Sequence, residues 1–353
     1  MNNNFHQKTG YFPEQKYPES PVSSKSDPGF KARLLKTELS RINPLRLAIL
    51  ILCVLVFCTC LFLLARYSFS IIQSRMASRE LEKVRTDALL QAPPANESAA
   101  PSPVLSATET PVSKPTPVKG IVYGHTPLPT DPWPSVYSNN PLLRVSPVFY
   151  QLQEKNKDIV GWIKIDGVLE EAVVQRDNEY YLTHNVLQQR SATGALFLDE
   201  NCNLDTVPAQ MLIHGHNMKE GAMFGSLKKY KVKDASYYRA HPFIDFNTIY
   251  ENGRYVIFAV AEVDIQSGKP DYLPFWLYDR FPNAVVFTEY VERVRLLSRI
   301  KSNIDVCPGD RLLTLSTCTG DDENKRLIIM ARMLRENENE FELNLDILST
   351  SDR

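Results

Sequence analysis

The chain of 353 residues carries 40 basic and 41 acidic side chains, for a formal charge of −1. With no basic stripe to neutralise a phosphate backbone, this balance excludes nucleic acid as a partner. Hydrophobic residues at 43% suffice for a folded core, but 13 of the 24 prolines fall between Pro93 and Pro147, so that stretch stands apart from it.

In chain order, residues 1–46 form a polar, basic tail whose first thirty residues show no apolar period, the pattern of a disordered segment. Nineteen residues from Leu47 to Ala65 then run without charge or proline. As a helix they cover about 29 Å, the thickness of a bilayer's hydrocarbon. A buried core helix and a cleaved signal peptide are the alternatives; the run is long for a signal sequence, and no A-x-A-like site follows it. A single span over 47–66 is therefore expected. Lys31, Arg33, Lys36, Arg41 and Arg46 precede it with one acid, Glu38, which places the amino terminus in the cytoplasm and the rest outside the cell membrane. Arg66, Arg75 and Arg79 reduce this asymmetry, while Glu80, Glu82 and Asp87 interleave with them.

Residues 67–140 read as a juxtamembrane segment, helical in composition from Ser74 to Leu90, followed by a stiff proline-rich spacer. The Asn96-Glu97-Ser98 triplet fits a glycosylation acceptor by pattern, but in an exposed linker such a triplet is more often chance and carries no weight. From about Pro141 to Leu348 the texture changes to short apolar runs: VGWIKID, EAVVQ, GALFLD, AQMLIHG, RYVIFAVAEVDI, RLLTLSTC and RLIIMARML. Seven or eight strands separated by turn-rich pieces predict an antiparallel or mixed barrel. Helices are expected near Val148 to Lys155, near Phe224 to Lys231, and from Thr288 to about Lys301. In the last, Tyr290, Val291, Val294, Leu297 and Ile300 recur at helical spacing. Residues 349–353 are read as a tail.

Six cysteines divide into three in the apolar run and Cys202, Cys307 and Cys318 beyond it. An odd set in an oxidising compartment leaves a free thiol or an intermolecular partner. Cys318 ends the strand RLLTLSTC and enters a loop holding Gly320, Asp321, Asp322 and Glu323. A free cysteine is as readily a small buried hydrophobe as a nucleophile, and a nucleophile needs a histidine or arginine to generate its thiolate. His214 and His216 close the apolar run in AQMLIHGHNM; as alternate strand residues they share a face, with Gly215 between them permitting a close approach. A zinc site is the competing reading, but a structural zinc wants four ligands at a spacing that is missing here. His125 falls in the spacer, and His184 and His241 fall in polar loops. Arg326 opens the strand after Cys318. If the two strands form a hairpin, its guanidinium faces the thiol, whereas Arg332 lies six residues on, about 20 Å away along the strand.

The order His216, Cys318, Arg326, with the segments TLSTC and HGHNMKEGAMFGSL, resembles the class B sortases. VGWIKIDG, AVVQRDNEYYL and GALFLDENC resemble entry strands of that class, and the similarity runs from about Leu142 to Leu348. The resemblance implies an eight-stranded sortase-type β-barrel, mainly β with a few decorating helices, preceded by the single transmembrane helix. It implies a membrane-anchored cysteine transpeptidase that needs no cofactor or metal. Cys318 would attack a Thr carbonyl of a sorting motif on a surface protein, His216 would move the proton, and Arg326 would stabilise the oxyanion, with backbone N–H groups near Thr319 assisting. The partners implied are sorting-motif-bearing surface proteins, a peptidoglycan amine from a cross-bridge or a lipid-linked precursor, and membrane lipid. Asn178, Leu182, Ser316 and Thr317 would line the peptide groove, with His214 in the pocket wall where several relatives have a tyrosine. A hydrolytic cysteine peptidase, a pilin-polymerising sortase and an idle binding barrel remain alternatives.

Overall fold

The computed structural model describes residues 43–91 and 132–352, apart from 220, 233, 321 and 337. The expected tail up to residue 42, the Asn96 triplet, His125, Asp321 and most of the proline-rich spacer lie outside the described residues.

The first element is one long helix, α1 (Pro44–Gln91). Its residues up to Leu64 form a unit of their own, and from Ile49 to Leu64 its large apolar side chains are exposed. A buried core helix would hide that surface, so this stretch has the length, composition and exposure of a bilayer-crossing segment.

The second unit, 65–353, holds the remainder of α1 and a barrel. The later half of α1 buries Ser74, Ala77, Leu81 and Ala88, and Arg85 pairs with Glu170 while its guanidinium lies 4.8 Å from the Trp162 ring centroid. Trp133 and Tyr137, in the stretch read as spacer, are buried too, donating to the Asp310 and Leu204 carbonyls at 2.9 Å, so packing begins ahead of Pro141. After α2 (Pro147–Lys155) the chain runs through β1 (Ile159–Ile165), β2 (Leu169–Val174), β3 (Leu196–Leu198), β4 (Gln210–His214), the short α3 (Ser236–Ala240), β5 (Phe243–Thr248) and β6 (Asn252–Asp264). It continues with α4 (Ala284–Leu297), β7 (Ile300–Lys301), β8 (Leu312–Cys318), β9 (Lys325–Met333), α5 (Glu340–Ser349) and β10 (Ser351–Asp352). The eight barrel strands close in the order β1-β2-β3-β4-β8-β9-β6-β5. The barrel is mixed: β2 with β3 and β4 with β8 are parallel, and the other neighbours are antiparallel. Its closure leaves no open sheet edge.

Three further expectations need correction. The strand β5, FIDFNT, stands outside the apolar runs because Asp245, Asn247 and Thr248 dilute its alternation; of its residues only Ile244, Phe246 and Thr248 are buried. The helix expected from Thr288 begins instead at Ala284, where Asn283 accepts from the Val285 and Val286 amides at 2.9 and 3.0 Å. It stops at Leu297 because Arg299 donates its amide to Val260 at 2.7 Å, which pulls the chain onto β6 and makes Ile300 a strand residue. The residues after 348 are not a loose tail: Ser351 and Asp352 pair with Lys301 and Ile300.

Candidate active site

Strand register assembles the site. In the antiparallel β8–β9 pair Cys318 lies directly opposite Arg326. The parallel β4–β8 pair sets His214 beside Ser316, and one residue on Gly215 donates its amide to the Ser316 carbonyl at 3.2 Å. Two residues further along both chains come His216 and Cys318, and Asn217 ties them by donating to the Cys318 carbonyl at 2.9 Å. Gly215 is required there by packing: a Cβ would sit 2.4 Å from Leu196 Cδ2 and 2.7 Å from Phe224 Cδ2. The close approach expected at this glycine therefore comes from two core side chains.

A cleft of about 440 Å³ receives these residues. Cys318, His216, Arg326 and His214 line it, as do Asn178, Leu182, Ser316 and Thr317. All eight residues singled out from the sequence thus meet in one place. The thiol is exposed at a strand end while the six residues before it are buried, so it is reachable on a rigid support.

His216 Nε2 lies 2.8 Å from the Leu182 carbonyl oxygen. A carbonyl only accepts, so Nε2 carries the proton and Nδ1 is left to exchange one. Arg326 Nη1 donates to the Glu323 and Lys325 carbonyls at 2.6 and 3.1 Å, and among the described residues it pairs with no carboxylate. The Thr319 amide donates to the Lys325 carbonyl at 3.3 Å, so it is not free to receive an oxyanion. The Thr317 hydroxyl is buried and has no partner among the described residues.

His214 is engaged differently. Its Nε2 donates to Asp199 Oδ2 at 2.9 Å, and its ring stacks on Phe197. Burial pushes the Asp199 carboxyl up, but the His214 hydrogen bond and the Asn201 amide outweigh it and hold the group below the usual carboxylate range. Asn178 braces the same carboxylate at 3.1 Å. With His214 Nε2 on Asp199 and His216 Nε2 on a carbonyl, both imidazoles are already oriented by protein atoms; among the described residues no three metal-ligating side chains are grouped.

Asp199, Asn201, Phe197, Ile265, Phe275 and Trp276 also line the cleft, and no motif in the sequence marks them. Asp199 was hidden inside the strand-like GALFLDENC, where an acid after an apolar run reads as a turn. Trp276 sits on a short turn, Phe275–Leu277, that no motif marks. His184 and His241 lie elsewhere: His184 stacks on Tyr180, and His241 bonds the Asp166 carbonyl. Arg332 is buried at 1% exposure and held by Glu338, opposite Leu312 at the far end of the hairpin. Cys202 and Cys307 are separate free thiols, and burial pushes Cys202 up to about 12.

A closed mixed barrel thus lines one cleft with a thiol, a histidine and an arginine. The Sortase domain family model matches residues 163–334. Sortase B of Listeria monocytogenes is 35% identical over 187 residues, covering 52% of this chain and 72% of that protein. Sortase B of Staphylococcus aureus is 27% identical over 195 residues, covering 54% and 76%. A crystal structure of the Staphylococcus aureus enzyme, 27% identical, covers 55% of this chain and 90% of its own, with a TM-score of 0.49. The chain belongs to the sortase family as a class B member, and sortases are cysteine transpeptidases.

Proposed function

We propose that the protein anchors surface proteins to the cell wall, cleaving a C-terminal sorting motif through a Cys318 thioester and passing the acyl group to a cell-wall amine. The observation that carries this is the register that sets Cys318 opposite Arg326 and brings His216 into the same cleft. The Cys318 thiolate adds to the carbonyl carbon of the motif's threonine, and Arg326 neutralises the oxyanion after exchanging a loop carbonyl for it. Collapse breaks the C–N bond as His216 gives its Nδ1 proton to the departing amine. The incoming amine then attacks the thioester, its proton passes to His216, and the thiolate leaves. Asn178, Leu182, His214, Ser316 and Thr317 bound the groove for the peptide. The Thr317 hydroxyl, without a partner among the described residues, supports a substrate hydrogen bond there, since leaving it bare costs about 1–3 kcal/mol.

The exposed apolar stretch of α1 supports a single-pass anchor in the cell membrane, with the basic amino terminus inside and the catalytic barrel outside. Incubating the full chain in detergent with sorting-motif peptides and a panel of amines tests the reading. The expected product is peptide joined to amine. Hydrolysis alone across all amines would replace the transferase with a peptidase, and joining only to a pilin lysine would make it a pilus polymerase.

A further inference from the structure

A cluster of hydroxyls links α1 to the loop that ends at Gly194, and the chemistry above leaves it unused. Ser74, Ser191 and Thr193 are buried at 3, 6 and 1% exposure. Their oxygens form a closed triangle: Ser74 to Ser191 at 2.6 Å, Ser191 to Thr193 at 2.8 Å, and Thr193 to Ser74 at 2.7 Å. One turn earlier Ser70 accepts the Ala192 amide at 2.8 Å. Each buried hydroxyl is costly to strand, so helix and loop are held in one register.

The held loop reaches His216. Ser191 donates its amide to the Thr183 carbonyl at 2.9 Å, and Ala195 donates to the Tyr181 carbonyl at 3.0 Å. Those two bonds bracket Leu182, whose carbonyl accepts from His216 Nε2. Between them Gly194 has a φ of +59°, and a Cβ there would lie 2.4 Å from the Tyr181 oxygen, 3.0 Å from His216 Cδ2 and 3.1 Å from the Leu182 oxygen. The glycine backbone therefore packs on both the imidazole and its acceptor.

We infer that Ser74, acting with Ser191 and Thr193, is a positioning residue for His216: the part of α1 beyond the apolar run clamps the loop whose Leu182 carbonyl keeps the proton on Nε2. This rests on the proposed role of His216, because only an acid–base histidine gains from a fixed tautomer. Without the clamp the carbonyl drifts, the ring samples its other tautomer, and Nδ1 loses its role in part of the population.

The test uses the full chain in detergent micelles with Ser74→Ala, Thr193→Val and Thr193→Ser. The valine is isosteric and lacks the hydroxyl, while the serine keeps it. Side-chain ¹⁵N spectra of His216 read the tautomer without any substrate, and steady-state kinetics read turnover below the melting temperature. Ser74→Ala and Thr193→Val are expected to lower kcat about tenfold with KM within about twofold, and to move the His216 nitrogens toward averaged tautomers. Thr193→Ser is expected to keep both near those of the parent chain. An unchanged His216 spectrum in folded Ser74→Ala or Thr193→Val overturns the inference, as does equal loss in Thr193→Ser and Thr193→Val. If the parent chain joins no peptide to an amine, the proposed function falls, and the tautomer comparison still decides the clamp.

Discussion

The two ends of the β8–β9 hairpin each hold a cysteine beside an arginine, and only one end resembles a place for chemistry. At the far end Cys307 receives a hydrogen bond from Arg335 at 3.1 Å, and Arg332 lies buried across from Leu312. There the arginines are consumed by acids: Arg335 bonds Asp310 at 2.8 Å and Arg332 bonds Glu338 at 2.7 Å. Burial and then Asp310 push the Cys307 thiol above its ordinary value, against the pull of Arg335. At the near end Arg326 rests on two carbonyls and no carboxylate among the described residues, and a histidine shares its cleft with Cys318. The two ends therefore differ in whether the cation beside the thiol is already neutralised by acids, and in whether a base shares the site.

The comparison breaks first at the thiols. Cys318→Ala is expected to abolish turnover, a fall of more than about 10³-fold, with the fold intact by circular dichroism, whereas Cys307→Ala should leave kcat/KM within about twofold. The arginines should separate in kind. Arg326→Ala is expected to lower kcat/KM about 10²- to 10³-fold with little change in melting temperature. Arg332→Ala strips the half-buried Glu338 carboxylate of its cation and empties a fully buried site, so it should cost about 3 kcal/mol in denaturant unfolding. If Arg326→Ala also unfolded the chain, the contrast between the two ends would be lost.

The legible part of this molecule is the set of polar and reactive side chains that stand at strand ends. Cys318, His216 and Arg326 could be found in the sequence because each closes or opens an apolar run, and the hairpin expectation for Arg326 is met by its pairing with Cys318. The eight-stranded closure was within reach except for β5, whose Asp245 and Asn247 mask its period. Asp199 and Trp276 were not legible, since what brings them to the cleft is the crossing of β3 and a turn between distant strands. Nor was the packing of α1 on the barrel, because Ser74, Ala77 and Leu81 are too small or too sparse to stand out in a helix dominated by the apolar run before them.

Smaller effects sharpen the picture at the edges. Glu171, partly buried beside Ser78 of α1, has its carboxyl raised to about 7 from 4.5, first by burial and then by Glu82 and Glu170, with the Ser78 hydrogen bond opposing them. Its neutral form is favoured when folded, so its contribution is full below about pH 4.5 and is lost as pH rises through about 7. Glu171→Gln should therefore stabilise the chain at pH 8 by up to about 3 kcal/mol and leave it unchanged at pH 4, as read by thermal melts. Asp199→Asn should be milder, about 1–2 kcal/mol, and should weaken the acid dependence of stability. Its native carboxyl is held low, so its contribution is present above the ordinary carboxylate range and lost as pH falls through the native value.

The most direct measurement is a map of where acyl groups land. The full chain is mixed with a sorting-motif peptide, quenched in acid, digested and read by mass spectrometry for a hydroxylamine-labile adduct. The chemistry of the near end predicts the adduct on Cys318, its discharge when an amine is added, and none on Cys307 or Cys202. An adduct on Cys307, or a product formed in Cys318→Ala, would contradict it.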